Sequence, residues 1–170
     1  FSTGALGHGL SVGLGMSFGS ALSGRNYKTY VLTGEGCLNE GSSWEALMCA
    51  SKYKVKNLIL MIDYNRVQLD GTESEIMPLD PLRDKLEAFG WSVNKEEYDG
   101  NNTSDILRSF DWIDSSESYP KAIIYNTVKG KNVGFSEGKN TWHGAKIDDE
   151  HYFIGLKDLD EDIKLKEALL

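Results

Sequence analysis

Between Asn57 and Asp63 the chain runs through Leu58-Ile59-Leu60-Met61-Ile62 with no polar residue between them. A strand wetted on one side would alternate apolar and polar residues, and a helix would be longer. So short an unbroken run reads as a strand covered on both faces, as in a parallel sheet. It is far too short to cross a bilayer, which excludes it as a membrane-spanning segment.

The flanking segments alternate helix and strand. Leu6 to Leu22 is rich in Gly, Ala, Leu and Met and predicts a helix with small residues on one face, ended by Gly24-Arg25-Asn26. Thr29 to Thr33 predicts a strand, broken by Gly34-Glu35-Gly36, and Ser42 to Tyr53 a helix with Trp44, Leu47, Met48 and Ser51 at helical spacing. Asp80 is expected as the N-cap of a further helix, with Pro81 at its first position and Gly90 closing it. Trp91 to Tyr98 reads as a strand, and Asp99-Gly100-Asn101-Asn102 as a turn. Thr103 or Ser104 is expected to cap a helix reaching about Ile113. Ala122 to Val128 reads as another buried strand, Lys129 to Ala145 as a long loop without periodicity, and the tail from Ile154 as an acidic helix. The fold class is therefore α/β, a parallel sheet with helices on both faces, within a single domain spanning residues 1–170. The chain opens on Phe1 and at once on a Gly-rich segment, so it is expected to be a fragment or a processed piece, truncated at its N-terminus.

A formal net charge of −8 argues against a nucleic-acid partner, which would call for a basic patch. No secretory signal is visible, and Cys37 and Cys49 read as ordinary thiols of a cytoplasmic protein.

In open α/β sheets ligands bind beyond the carboxyl ends of the strands. Three segments begin there: Gly34 to Gly41, Tyr64 to Gly71 and Val128 to Gly144. Glycines on both sides of Glu35 allow close backbone approach, and the helix that follows favours an anion at its N-terminus. An acid beside an anion is consistent if a divalent metal lies between them. Glu35, the amide of Asn65 and the carbonyl of Val67 would supply three of the six oxygens magnesium requires. Taken alone, Gly-acid-Gly after a strand is more often a turn, and an Asn in such a place is usually a turn residue. The spacing favours the ligand reading, because Glu35 and Asn65 are separated by one helix and one buried strand, a single βαβ step. A dinucleotide fingerprint fails, since the position three after Gly36 is Asn39.

Gly34-Glu35-Gly36-Cys37-Leu38-Asn39-Glu40-Gly41-Ser42-Ser43-Trp44-Glu45-Ala46, followed by Asn57-Leu58 and Asp63-Tyr64-Asn65-Arg66, resembles the thiamine-diphosphate signature in its transketolase form. Ser2 to Leu10 resembles that family's upstream loop, and Lys129-Gly130-Lys131 and Trp142-His143-Gly144 match two further elements in order. The resemblance implies that Glu35, Asn65 and the Val67 carbonyl hold Mg2+, or Ca2+ in its place. It implies that Gly4, Leu6 and Gly36 line the thiazole and diphosphate end of thiamine diphosphate, and that Lys129 and His143 reach the diphosphate. His143 would also meet the sugar as a catalytic residue, and Glu40 would sit near the cofactor where two subunits meet. Without the motif, His143 would be read as an exposed loop histidine. His8 has no assigned role, and Lys52, Lys54 and Lys56 read as a solvated helix end.

Three departures stand out. The family's metal-binding Asp is Glu35 here, and one added methylene moves the carboxylate by roughly 1.5 Å. The family's upstream substrate histidines have no counterpart from Phe1 onward. The family also activates the thiamine ring with a glutamate on a separate pyrimidine-binding domain, for which 170 residues hold no second α/β unit. The resulting expectation is the diphosphate-binding half of a transketolase, paired with a C-terminal pyrimidine-binding subunit in a dimer or heterotetramer. The pair would transfer a two-carbon ketol unit from a ketose, often phosphorylated, to an aldose. The alternative is a non-catalytic scaffold domain derived from this fold, motivated by Glu35 and the missing histidines.

Overall fold

The computed structural model describes residues 2–115 and 117–168, so Phe1, at which truncation is expected, lies outside the described residues. The chain divides into two compact units, Phe1–Asn65 with Met77–Thr127, and Arg66–Ile76 with Val128–Leu170.

The first unit is an all-parallel sheet. Strand β1 (Thr29–Gly34) pairs with β2 (Leu58–Tyr64), and β2 pairs with β5 (Lys121–Asn126). Two short segments, β3 (Ser92–Val93) and β4 (Tyr98–Asp99), both pair with the far side of β5. The apolar run is β2, and it lies inside the sheet as read. Leu58, Leu60 and Ile62 point into one core with Leu10 and Leu14 of α1 (His8–Leu22), Leu47 and Ala50 of α2 (Gly41–Lys52), and Leu82 and Leu86 of α4 (Leu82–Ala88). Ile59 and Met61 point the other way, into a core with Ile123, Tyr125 and the helix α5 (Thr103–Ser115) through Ile106, Phe110 and Ile113. Helices therefore cover both faces, which is why β2 carries no polar side chain until Asp63. Each fully buried aliphatic there contributes about 1.5–3 kcal/mol of burial. Over β1 the second face is thinner: Tyr30 tilts against Phe110, and Leu32 is 70 % exposed.

The small residues of α1 bring it onto the sheet. A Cβ added at Gly13 would lie 2.2 Å from a Val31 methyl, so only glycine lets helix and strand approach this closely.

Several boundaries differ from expectation. The strand expected over Trp91 to Tyr98 is interrupted, because buried Asn94 supplies side-chain groups in place of the ladder. Its Oδ1 accepts from the Ile124 amide at 3.0 Å, and its Nδ2 donates to the Glu96 carbonyl at 2.6 Å. Asp80 does not cap α4. Pro81 holds the N-cap position, and the Asp80 carboxylate instead accepts from the Tyr64 hydroxyl at 3.0 Å. Neither Thr103 nor Ser104 caps α5, since the Asn102 side-chain oxygen receives the amides of Ser104 and Asp105.

The second unit contains a short hairpin-like loop with α3 (Glu73–Ile76), the segment from Val128, and helix α6 (Asp149–Glu167). Among the described residues no helix is long and apolar enough to cross a membrane.

Candidate functional site

The sheet register places the candidate residues of the first unit. Gly34 at the end of β1 pairs with Asp63 on β2, and Tyr64 at the end of β2 pairs with Asn126 at the end of β5. The next residues, Glu35 and Asn65, therefore leave adjacent strands at nearly the same level. Glu35 opens a 3-10 turn, Glu35–Asn39, and is only 2 % exposed. Burying a carboxylate is costly unless hydrogen bonds or a cation compensate it. The turn is pinned to the first turn of α2: the Ser43 hydroxyl donates to the Cys37 carbonyl and the Trp44 indole to the Leu38 carbonyl, both at 2.7 Å. Gly36 is half-buried on this turn, and Glu40, exposed, stands at the N-cap of α2 without a side-chain cap bond.

The upstream loop closes onto the same helix start. Gly7 has φ +75°, and a Cβ there would lie 2.5 Å from the Glu40 Cβ, so the position requires glycine twice over. The Ser42 hydroxyl donates to the Gly7 carbonyl at 3.2 Å. Gly4 and Leu6, ahead of this anchor, are exposed. An open cleft of about 580 Å3 runs beside β1, from Thr3 and Ala5 past Val12 and Tyr30 to Gly34 and Cys37.

Asn65 carries a contact that the residue order does not announce. Its Nδ2 donates to Asp63 Oδ2 at 3.2 Å, while the Thr127 hydroxyl donates to Asp63 Oδ1. The available signal was the polar residue that ends an apolar strand; Thr127 has no comparable mark in the sequence.

In the second unit, Val67 pairs with Thr72 across a tight turn, closed by the Gln68 amide on the Gly71 carbonyl at 2.8 Å. The segment read as a long loop is one, with a single 3-10 turn at Asn140–Trp142, and it is strapped to α6. The Gly134 amide donates to Asp158 and the Asn132 side chain to Asp162, both at 2.9 Å. The rings of Phe135, Trp142 and His151 form a cluster with centroids 4.6–4.9 Å apart. Asp148 caps α6 by accepting from the His151 amide, and this bond, with the His151 ring, holds its carboxyl below the ordinary range.

The strap brings Lys129 and His143 together, with Nζ 3.2 Å from Nδ1. With the lysine ammonium as donor, the contact pairs it with the acceptor form of the His143 Nδ1. Both residues then offer N–H donors, the chemistry of an anion site.

Within the first unit, then, the structure gathers Glu35, Gly36 and Glu40 after β1, Asn65 after β2, and Gly4 and Leu6 ahead of Gly7; within the second it pairs Lys129 with His143 and sets Val67 in the turn. Among the described residues no group of three or more His, Cys, Asp or Glu side chains is placed to hold a metal. The Glu35 carboxylate and the Asn65 amide oxygen, both in the first unit, are oxygen donors of the hard kind that suits magnesium.

Residues 1–157 match the family described as transketolase, thiamine diphosphate binding domain. The chain is 43 % identical over 166 residues to one of the subunits of the apulose-4-phosphate transketolase of Phocaeicola vulgatus, covering 98 % of this chain and 58 % of that protein. It is 37 % identical over 161 residues to one of the subunits of the 6-deoxy-6-sulfo-D-fructose transketolase of Clostridium sp., covering 95 % of this chain and again 58 % of the relative. The crystal structure of transketolase from Campylobacter jejuni superposes with a TM-score of 0.83 at 27 % identity, over 91 % of this chain and 25 % of that one. The chain thus spans somewhat over half the length of the curated subunits it matches. The ordered motifs, the parallel sheet with its acidic turn, and these likenesses together make the chain a member of the transketolase family, carrying that family's thiamine diphosphate binding domain.

Proposed function

We propose that residues 1–170 act as one domain, the diphosphate-binding half of a two-subunit transketolase in the cytoplasm. The observation that carries this reading is the register of β1 and β2, which sends Glu35 and Asn65 off adjacent strand ends in a chain of this family. Glu35, Asn65 and the carbonyl oxygen of Val67 hold Mg2+, with Ca2+ able to substitute. The buried carboxylate of Glu35 and the hard-oxygen character of the set support this assignment. Gly4, Leu6 and Gly36 line the thiazole and diphosphate end of the cofactor. Lys129 and the Nε2–H of His143 donate to diphosphate oxygens, and His143 also reaches the sugar. Glu40 lies where the partner subunit docks.

Thiamine diphosphate, when bound, supplies the carbanion chemistry of ketol transfer; this chain's residues bind and orient it. Ring activation falls to a pyrimidine-binding partner, a division supported by relatives named as transketolase subunits. Those relatives are named for a ketose phosphate and a sulfo-ketose. We infer a donor ketose with an anionic group at the end remote from the carbonyl.

Calorimetric titration of thiamine diphosphate into the chain, with magnesium and then with EDTA, tests the site. Saturable binding that EDTA removes is expected. Binding of equal strength in EDTA would reject the metal assignment, and no binding even with a partner subunit present would reject the function.

A further inference from the structure

We propose that Asp63 is a positioning residue for the metal site: held by the Thr127 hydroxyl, it dictates whether the Asn65 carboxamide presents its oxygen or its nitrogen. The inference rests on the metal reading above, which assigns Asn65 an oxygen ligand's role.

The argument begins with the strand. Asp63 lies next to last on β2, paired with Gly34 on one side and Tyr125 on the other, so both neighbouring ladders hold its backbone. Side chains two apart on an extended chain share a face, which brings Asp63 and Asn65 together. Thr127 follows Tyr125 at the same spacing on the neighbouring strand's exit. The resulting chain of contacts runs from the Thr127 hydroxyl to Asp63 Oδ1, and from Asn65 Nδ2 to Asp63 Oδ2 at 3.2 Å.

An ionised carboxylate accepts and never donates, so both its neighbours must donate to it. For Asn65 this leaves one orientation. The amide nitrogen faces Asp63, and Oδ1, on the opposite side of the planar amide, is turned the other way. Without the Asp63 carboxylate an orientation with N–H groups toward the cation becomes accessible, and reversing it costs part of the binding free energy. Magnesium requires oxygen donors in near-ideal geometry, so a reversed amide removes a ligand rather than weakening one. Partners that orient metal ligands in this way typically change metal affinity by about 10–100-fold.

The test uses the full chain and two readouts. In the cofactor-free protein, the Asn65 side-chain amide protons, assigned by their loss in Asn65→Asp, are expected to exchange slowly in NMR spectra, as donors held on the Asp63 carboxylate. Asp63→Leu, close in shape, is expected to abolish that signature and weaken magnesium-dependent thiamine diphosphate binding at least about tenfold, with the thermal melt retained. The double variant D63L/N65D is expected to recover binding to within about threefold of the original, because a carboxylate presents oxygen in either rotamer. Thr127→Val, which keeps the Asp63 charge, serves if D63L fails to fold and is expected to broaden the amide signature and weaken binding severalfold. Unchanged binding in D63L overturns the proposal. So does weaker binding with the amide signature intact, which would mean that Asp63 acts through charge alone, and so does a double variant no better than the single one. A wild-type chain whose amide signature is present but whose cofactor binding ignores magnesium would instead overturn the metal reading.

Discussion

Glu35 sets the terms at the scale of single residues. The resemblance places an Asp at this position, and the longer Glu here would overshoot a site built for Asp by roughly 1.5 Å. The structure sets Glu35 at the first position of a 3-10 turn and buries it to 2 % exposure, so its carboxylate is placed by turn and packing together. A turn tied to α2 through Ser43 and Trp44 leaves a shortened side chain little room to follow the metal. Glu35→Asp is therefore expected to weaken magnesium-dependent cofactor binding by about tenfold, and Glu35→Ala by more than about the hundredfold that marks the loss of a supporting contact. Calorimetry on both variants checks this; an alanine variant that binds as well as the original would remove Glu35 from the metal site.

Among the elements, α1 shows how close approach outweighs propensity. Glycine inside a helix costs about 1 kcal/mol relative to alanine, so Gly13→Ala would stabilise an isolated α1. In the fold, the new methyl would sit 2.2 Å from a Val31 methyl, and overpacking of that kind costs about 1–3 kcal/mol. The clash wins, and Gly13→Ala is expected to lower the melting temperature in a thermal unfolding scan, while Gly15→Ala, with open space around its added methyl, is expected to raise it or leave it unchanged. The loop from Val128 makes the same point from the opposite direction. Its sequence has no periodicity, but Asp158, Asp162 and the tilted and edge-on ring contacts on His151 hold it against α6. The tail, which reads as an acidic helix, contributes the carboxylates that hold the segment bearing Lys129 and His143.

For the whole molecule, the decisive quantity is how much of a transketolase the chain contains. Its match takes in 98 % of its own length but 58 % of the related subunit's, and the superposition covers 25 % of a transketolase chain of known structure. The described residues provide one parallel sheet. Mixing the chain with a pyrimidine-binding transketolase subunit is expected to tighten thiamine diphosphate binding by about tenfold or more, since the second half of the cofactor then gains its own contacts. Ketol transfer should appear only in the mixture. Transfer by the chain alone, in a coupled assay of ketose consumption, would overturn the two-subunit reading.

The parallel sheet, its buried second strand and the turn at Glu35 were legible in the residue order. Periodicity reports which faces are covered, and short motifs carry their own backbone geometry. Asn94, which interrupts an edge strand, could not be read that way, because its partner Ile124 lies 30 residues on. The same is true of Asp63, whose meaning depends on Thr127, 64 residues away. Pattern along a chain records local periodicity and solvent exposure. Which donor meets which acceptor across strands depends on register and packing, and only the folded sheet brings Thr127, Asp63 and Asn65 into one line of hydrogen bonds.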